Sequence, residues 1–169
     1  MTSGSANQYQ TMRIDEICNL KIPRNGDYHT IHDLADKNSL LFLWVPSSLK
    51  ESAFTVMNAW GFKYKLTIYW YKPYNKESKK GKLGMGFYFR NQVEECLMGI
   101  RGKIKPFKTN KQNIIIEYPR KHSRKPEGLF NLIEPEIEKF DLNPKIELFA
   151  REYRTGWDGW GLEYPSKYK

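Results

Sequence analysis

A chain of 169 residues with 28 Lys and Arg against 19 Asp and Glu, net charge +9, suits one domain with a single sizeable core. Its hydrophobic share of 40% is that of a folded protein, and no apolar run approaches the roughly 20 residues of a membrane-spanning helix. Cys18 and Cys96 are the only cysteines, which excludes a disulfide framework and a zinc cluster, and MTSGSANQYQ lacks the basic and apolar regions of a secretion signal, so a cytoplasmic location is expected.

Thr11 is expected to cap a short helix that turns Ile14, Ile17 and Leu20 inward, with Asp15 and Glu16 in its first turn. His29 and His32 have helical spacing but no third ligand nearby, so no metal site is expected. Leu40 to Val45 is a continuous apolar run, predicting a strand buried on both faces. Ser48 and Glu51 have capping-box spacing for a helix whose inner face carries Leu49, Ala53, Val56, Met57 and Trp60, stopped by Gly61. Lys65 to Lys72 reads as a strand, in which Tyr69, Trp70 and Tyr71 cannot all face one way. A polar loop from Pro73 to Lys82 and strands over Glu94–Ile100 and Asn113–Tyr118 follow. Pro126 opens a helix carrying Leu129, Phe130 and Ile133, with Pro135 near its end, and Lys145 to Ala150 forms the last strand. Strands alternating with helices predict an α/β three-layer domain, 1–169, with a mostly parallel sheet.

The charge is unevenly spread. Gly61 to Lys82 holds seven lysines and the single acid Glu77, and Arg101 to Lys125 holds nine Lys or Arg and the single acid Glu117. Two basic stretches separated by an aromatic segment point to a nucleic-acid partner, because each neutralised phosphate releases a counterion.

Four ordered segments carry a resemblance. They are Tyr9-Gln-Thr-Met12, Leu41-Phe-Leu-Trp-Val45 with Ala59-Trp-Gly-Phe62, Phe89-Arg-Asn-Gln92 with Glu94, and a C-terminal block. The block runs from Arg120-Lys-His-Ser-Arg-Lys-Pro126 through Lys145-Ile-Glu-Leu-Phe-Ala-Arg151 to Gly156-Trp-Asp158 and Trp160-Gly161. Together they resemble the N6-adenine methyltransferase family that includes the catalytic subunit of the eukaryotic mRNA adenosine methyltransferase and its bacterial and phage relatives. The resemblance implies a Rossmann-like class I methyltransferase three-layer sandwich binding S-adenosylmethionine. It also implies roles for particular residues. Lys125, Arg151 and Glu163 match cofactor-binding positions, Tyr9 and Glu94 lie at the target adenine, and the loop with Lys76, Lys79, Lys80 and Lys82 meets the nucleic acid.

Two departures stand out. The family motif Asp-Pro-Pro-Trp is absent: none of the nine prolines follows an Asp or precedes another proline. Asn143-Pro144 comes nearest, and it reads as a turn opening a strand. Where the family ends Trp-Gly-Asn-Glu, this chain has Trp-Gly-Leu162-Glu163. The motif matters because an adenine amino nitrogen delocalises its lone pair into the ring. Acceptors on both amino hydrogens localise that pair and align the nitrogen with the sulfonium methyl, so catalysis is mostly positioning and electrostatics. The resemblance therefore implies a methyltransferase domain lacking the strand that carries its catalytic motif, expected to be a truncated product, half of a split enzyme or a fragment, with a second chain as one source of that strand. The alternative is a non-catalytic nucleic-acid-binding or scaffolding subunit of the same family. A purely structural remnant is a third reading.

Overall fold

A computed structural model describes residues 11–74, 88–120 and 124–165. The chain divides into two compact units, 1–126 and 127–169.

The first unit opens with helix α1, Ile14–Cys18. Its start lies two residues beyond the expected Thr11 cap: the Arg13 backbone N–H donates to the Glu16 carboxylate at 2.6 Å, so Glu16 satisfies the orphan donor. Next comes a hairpin not anticipated from the sequence, β1 (Lys21–Arg24) and β2 (Asp27–Thr30), joined by Asn25-Gly26 with both residues at positive φ, 54° and 87°. Asn-Gly is the preferred pair for this two-residue turn. Thr30 then accepts from the Asp33 N–H at 3.1 Å and caps α2, Ile31–Leu34. His29 thus belongs to a strand and His32 to a helix, so their spacing is not helical.

A four-stranded sheet forms the body of this unit, in the order β3-β5-β4-β6. Its strands are β3 (Ser39–Val45), β4 (Lys63–Tyr71), β5 (Val93–Arg101) and β6 (Ile114–Ile116). The sheet is mixed, which corrects the mostly parallel expectation. β5 runs antiparallel to both β3 and β4, and only β6 is parallel to β4. Apolar patterning identifies a strand but says nothing of its direction, which the connections decide.

β5 is the centre, with Cys96 and Leu97 fully buried. β3 is less buried than expected. Only Val45 is fully covered, because among the described residues β3 pairs on one edge alone. Trp70 is buried while Tyr69 stays partly exposed, as strand alternation requires.

Helix α3, Lys50–Ala59, covers one face of this sheet. A 3-10 turn, Ser47–Leu49, precedes it, and Ser48 makes no cap; Leu49 is exposed rather than inward. Ala53, Val56, Met57 and Trp60 are buried as expected. Gly61, at φ +83°, ends the helix, and the Phe62 N–H closes back on the Met57 carbonyl at 3.0 Å.

The second unit holds α4, Gly128–Lys139, and the parallel pair β7 (Ile146–Leu148) and β8 (Asp158–Trp160). Leu129 and Ile133 are buried; Phe130 meets Trp157 edge to face at 5.3 Å. Pro135 lies inside α4, which continues a further turn and buries Glu136 and Ile137. β8 is a strand the sequence reading missed, since three residues around a glycine carry no alternation. Among the described residues no helix is long and apolar enough to cross a membrane.

Candidate functional site

In the first unit the register of three strands builds a charged cluster on a tryptophan floor. β5 pairs Glu94 with Trp70 of β4 and Cys96 with Trp44 of β3, so all four side chains share one face. The two indoles meet edge to face with centroids 6.1 Å apart. The Trp70 N–H donates to the Glu117 carbonyl at 2.7 Å, which locks that ring.

Two lysines lie over this floor. Lys72 directly follows β4 and places its Nζ 4.6 Å from the Trp70 ring centre. Lys125 places its Nζ 5.3 Å from the Trp44 ring centre. Both reach the Glu94 carboxylate: Lys125 donates to Oε2 at 2.6 Å, and Lys72 donates to Oε1. The Lys125 carbonyl accepts from the Arg120 guanidinium at 2.5 Å, which anchors the segment entering the cluster.

Burial alone would push the Glu94 carboxyl up, but the Lys125 ammonium, with Lys72 adding to it, holds it below the ordinary range for a glutamate. The same burial pushes the Cys96 thiol up to about 12, so it stays neutral and unreactive. Glu95 points to the other face and pairs with Lys50 at 2.5 Å. The result is an ionised carboxylate between two ammonium groups, carrying one surplus positive charge. Such a cluster can hold a hydrogen-bond acceptor in place and bind an anionic group.

In the second unit the carboxyl ends of β7 and β8 bring Arg151 and Glu163 together, Nε to Oε1 at 3.7 Å. The Ala150 N–H donates to the Trp160 carbonyl at 2.9 Å, which aligns the two strand ends. Gly161 is required there, since a Cβ would meet Ala150 N at 2.8 Å and Phe149 C at 2.9 Å. Leu162 beside it is 83% exposed.

Of the residues singled out in the sequence, Glu94 and Lys125 thus converge within the first unit, and Arg151 and Glu163 within the second. Tyr9, Lys76, Lys79, Lys80 and Lys82 lie outside the described residues. Lys72, Trp44 and Trp70 were not singled out as site residues. In the sequence Lys72 reads as the end of a strand within a basic stretch, Trp44 as part of a resemblance segment and Trp70 as a strand former. The available signal was period two: Trp70 and Lys72 share a strand face.

Comparison with known proteins gives a consistent set of matches. The sequence profile of the MT-A70 family matches residues 2–163. A type II methyltransferase, M.MunI, from Mycoplasma sp. is 29% identical over 167 residues, covering 96% of this chain and 63% of that protein. A putative N(6)-adenosine-methyltransferase MT-A70-like protein of Medicago truncatula is 30% identical over 155 residues, covering 88% of this chain and 22% of its own length. An N(6)-adenosine-methyltransferase MT-A70-like protein of Arabidopsis thaliana is 28% identical over 152 residues, covering 88% and 20%. The chain therefore spans less than two thirds of the bacterial relative and about a fifth of the plant ones.

Proposed function

The chain belongs to the MT-A70 family, and from that premise we propose that it is an S-adenosylmethionine-dependent N6-adenine methyltransferase-like domain acting on adenine in DNA or RNA. The observation that carries this reading is the Glu94–Lys125 pair, two residues the family pattern assigns to base and cofactor, which meet at 2.6 Å. The family match spans both units, which supports one Rossmann-like, three-layer methyltransferase domain.

The residues present fit the cofactor chemically. The family pattern assigns Lys125 to its carboxylate and Arg151 and Glu163 to its ribose, and each unit by itself has the chemistry for its part: Lys125 offers a cation in the first, and Arg151 and Glu163 lie together at the carboxyl ends of paired strands in the second. The cofactor, when bound, supplies an electrophilic methyl group. Glu94, kept ionised, is an acceptor for an adenine N–H. The family pattern assigns Tyr9 to the side of that base and the loop with Lys76, Lys79, Lys80 and Lys82 to phosphates. The Asp-Pro-Pro-Trp motif is assigned to a strand pairing with the second edge of β3, supplied by a second chain or by residues continuous with this one. Among the described residues that edge pairs with nothing, and a long apolar strand left open is a liability.

One observation favours a second reading. Leu162 replaces the family's cofactor-bonding Asn and is exposed, which suits a non-catalytic nucleic-acid-binding or scaffolding subunit. Calorimetry with S-adenosylmethionine separates the two. The enzyme reading expects measurable binding, weakened by Lys125→Ala and by Arg151→Ala; no binding, or binding indifferent to both changes, leaves the scaffold.

A further inference from the structure

We propose that Lys72 is the positioning residue of the charged cluster: it holds the Glu94 carboxylate in place, and so leaves Lys125 available to take an anionic group of the ligand. The proposal rests on the reading above, in which Lys125 meets the anionic end of the cofactor and Glu94 faces the base.

The geometry separates the two lysines. The Lys72 N–H donates to the Gln92 carbonyl at 3.3 Å, so its backbone is registered against the start of β5, two residues from Glu94. Its Nζ lies over the locked Trp70 ring, and its side chain is only 21% exposed. Lys125 enters from an irregular segment and is 41% exposed. Each lysine takes one oxygen of the carboxylate.

A carboxylate with a single ammonium partner binds it tightly and competes with any incoming anion. With Lys72 on Oε1, Glu94 keeps a counter-ion when Lys125 turns away, so neither charge is left bare. The other groups on this face do not substitute: Cys96 stays neutral, and Trp44 and Trp70 do not titrate. Glu95 and Lys50 pair on the opposite face.

Two measurements test this on the full chain. The first needs no cofactor: the Glu94 carboxyl is followed by 13C NMR titration, its signal assigned by loss in Glu94→Gln. Lys72→Met is expected to raise its midpoint by about one pH unit, the scale of removing one adjacent opposite charge, and Lys72→Arg to restore it. Should Lys72→Met fail to fold, Lys72→Gln takes its place. The second is a calorimetric cycle with S-adenosylmethionine. Lys72→Met is expected to weaken binding several-fold when Glu94 is present and to have no effect in the Glu94→Gln background, where the competing carboxylate is gone. Equal weakening in both backgrounds would make Lys72 a direct ligand contact and overturn the proposal, as would an unmoved Glu94 midpoint. If S-adenosylmethionine does not bind at all, the cofactor reading fails, while the titration still decides whether Lys72 governs Glu94.

Discussion

The Lys125 ammonium lies 2.6 Å from the Glu94 carboxylate, although 31 positions of sequence separate them. The contact depends on β5 lying between β3 and β4, so that Glu94 emerges over Trp44 and Trp70. Packing of the two tryptophans of β3 and β4, on either side of β5, therefore positions the polar chemistry above them.

The pair should make stability depend on pH in a definite direction. The folded state holds the Glu94 carboxyl below its ordinary range, so Glu94 releases its proton more readily when folded than when unfolded. Its stabilising contribution is then fully present above the unfolded value, about 4.3, and is lost as pH falls through the lower folded value. Glu94→Gln is expected to cost about 1.5–3 kcal/mol at pH 7, the range for hydrogen bonds to charged groups. Urea midpoints should show the gap to wild type narrowing as pH falls below about 4.3; a gap that stays constant as the pH falls would mean the carboxylate charge contributes nothing.

Gly161→Ala should destabilise the second unit. The added Cβ would press on Ala150 N at 2.8 Å and Phe149 C at 2.9 Å. These are backbone atoms that no rotamer change can move. Overpacking of this kind costs about 1–3 kcal/mol, and it would disturb the strand ends that bring Arg151 to Glu163. Thermal denaturation is the check, with Gly156→Ala as a contrasting case: there the nearest group is the flexible Lys145 Nζ at 3.8 Å, but φ is +78°, so its cost is backbone strain alone. An unchanged melting midpoint for Gly161→Ala would contradict the close approach.

Nucleic-acid binding should survive the absence of the catalytic motif, because the basic stretches do not depend on it. Log affinity is expected to fall linearly with log salt concentration. Neutralising Lys76, Lys79, Lys80 and Lys82 together should reduce that slope, by up to roughly 0.9 for each duplex-DNA phosphate that then keeps its counterion. Fluorescence anisotropy over a salt series measures it. Binding that ignores salt, or no binding, would leave the +9 charge as a solubility feature.

Much of this architecture was legible locally, and the misses share a cause. The apolar run at Leu40–Val45, the alternation through Trp70 and the glycine stop at Gly61 are short-range signals, and each produced its element. Strand direction is not short-range: nothing within Glu94–Ile100 tells β5 to run antiparallel to both neighbours. Caps shifted for a similar reason, since the sequence offers several side chains and the fold decides which one reaches. The β1–β2 hairpin was missed although Asn25-Gly26 marks it, because its strands of four residues alternate too briefly. The family pattern points to Glu94 and Lys125, whereas Lys72 is drawn in only by the contacts that place it over Trp70 and against Glu94. A lysine within a basic stretch looks solvated until its partner is known.

The last expectation concerns methyl transfer itself. This chain alone is expected to transfer no methyl group to adenine, and the same chain preceded by a family-derived strand ending in Asp-Pro-Pro-Trp is expected to regain transfer. Glu94 can accept from one amino hydrogen, but a single acceptor does not localise the nitrogen lone pair and fix its direction together. Losing one preorganised partner at such a site typically costs about 100- to 1000-fold in rate, and here the whole motif is missing from the sequence. The strand bearing it would also supply the second neighbour that β3 lacks among the described residues, so the addition should raise the melting midpoint as well as the rate. A tritiated-methyl assay on adenine-containing DNA and RNA compares the two chains, with Glu94→Gln and Lys125→Ala in the extended one as controls. Robust transfer by the unextended chain, abolished by Lys125→Ala, would place the catalytic acceptors among the residues already present.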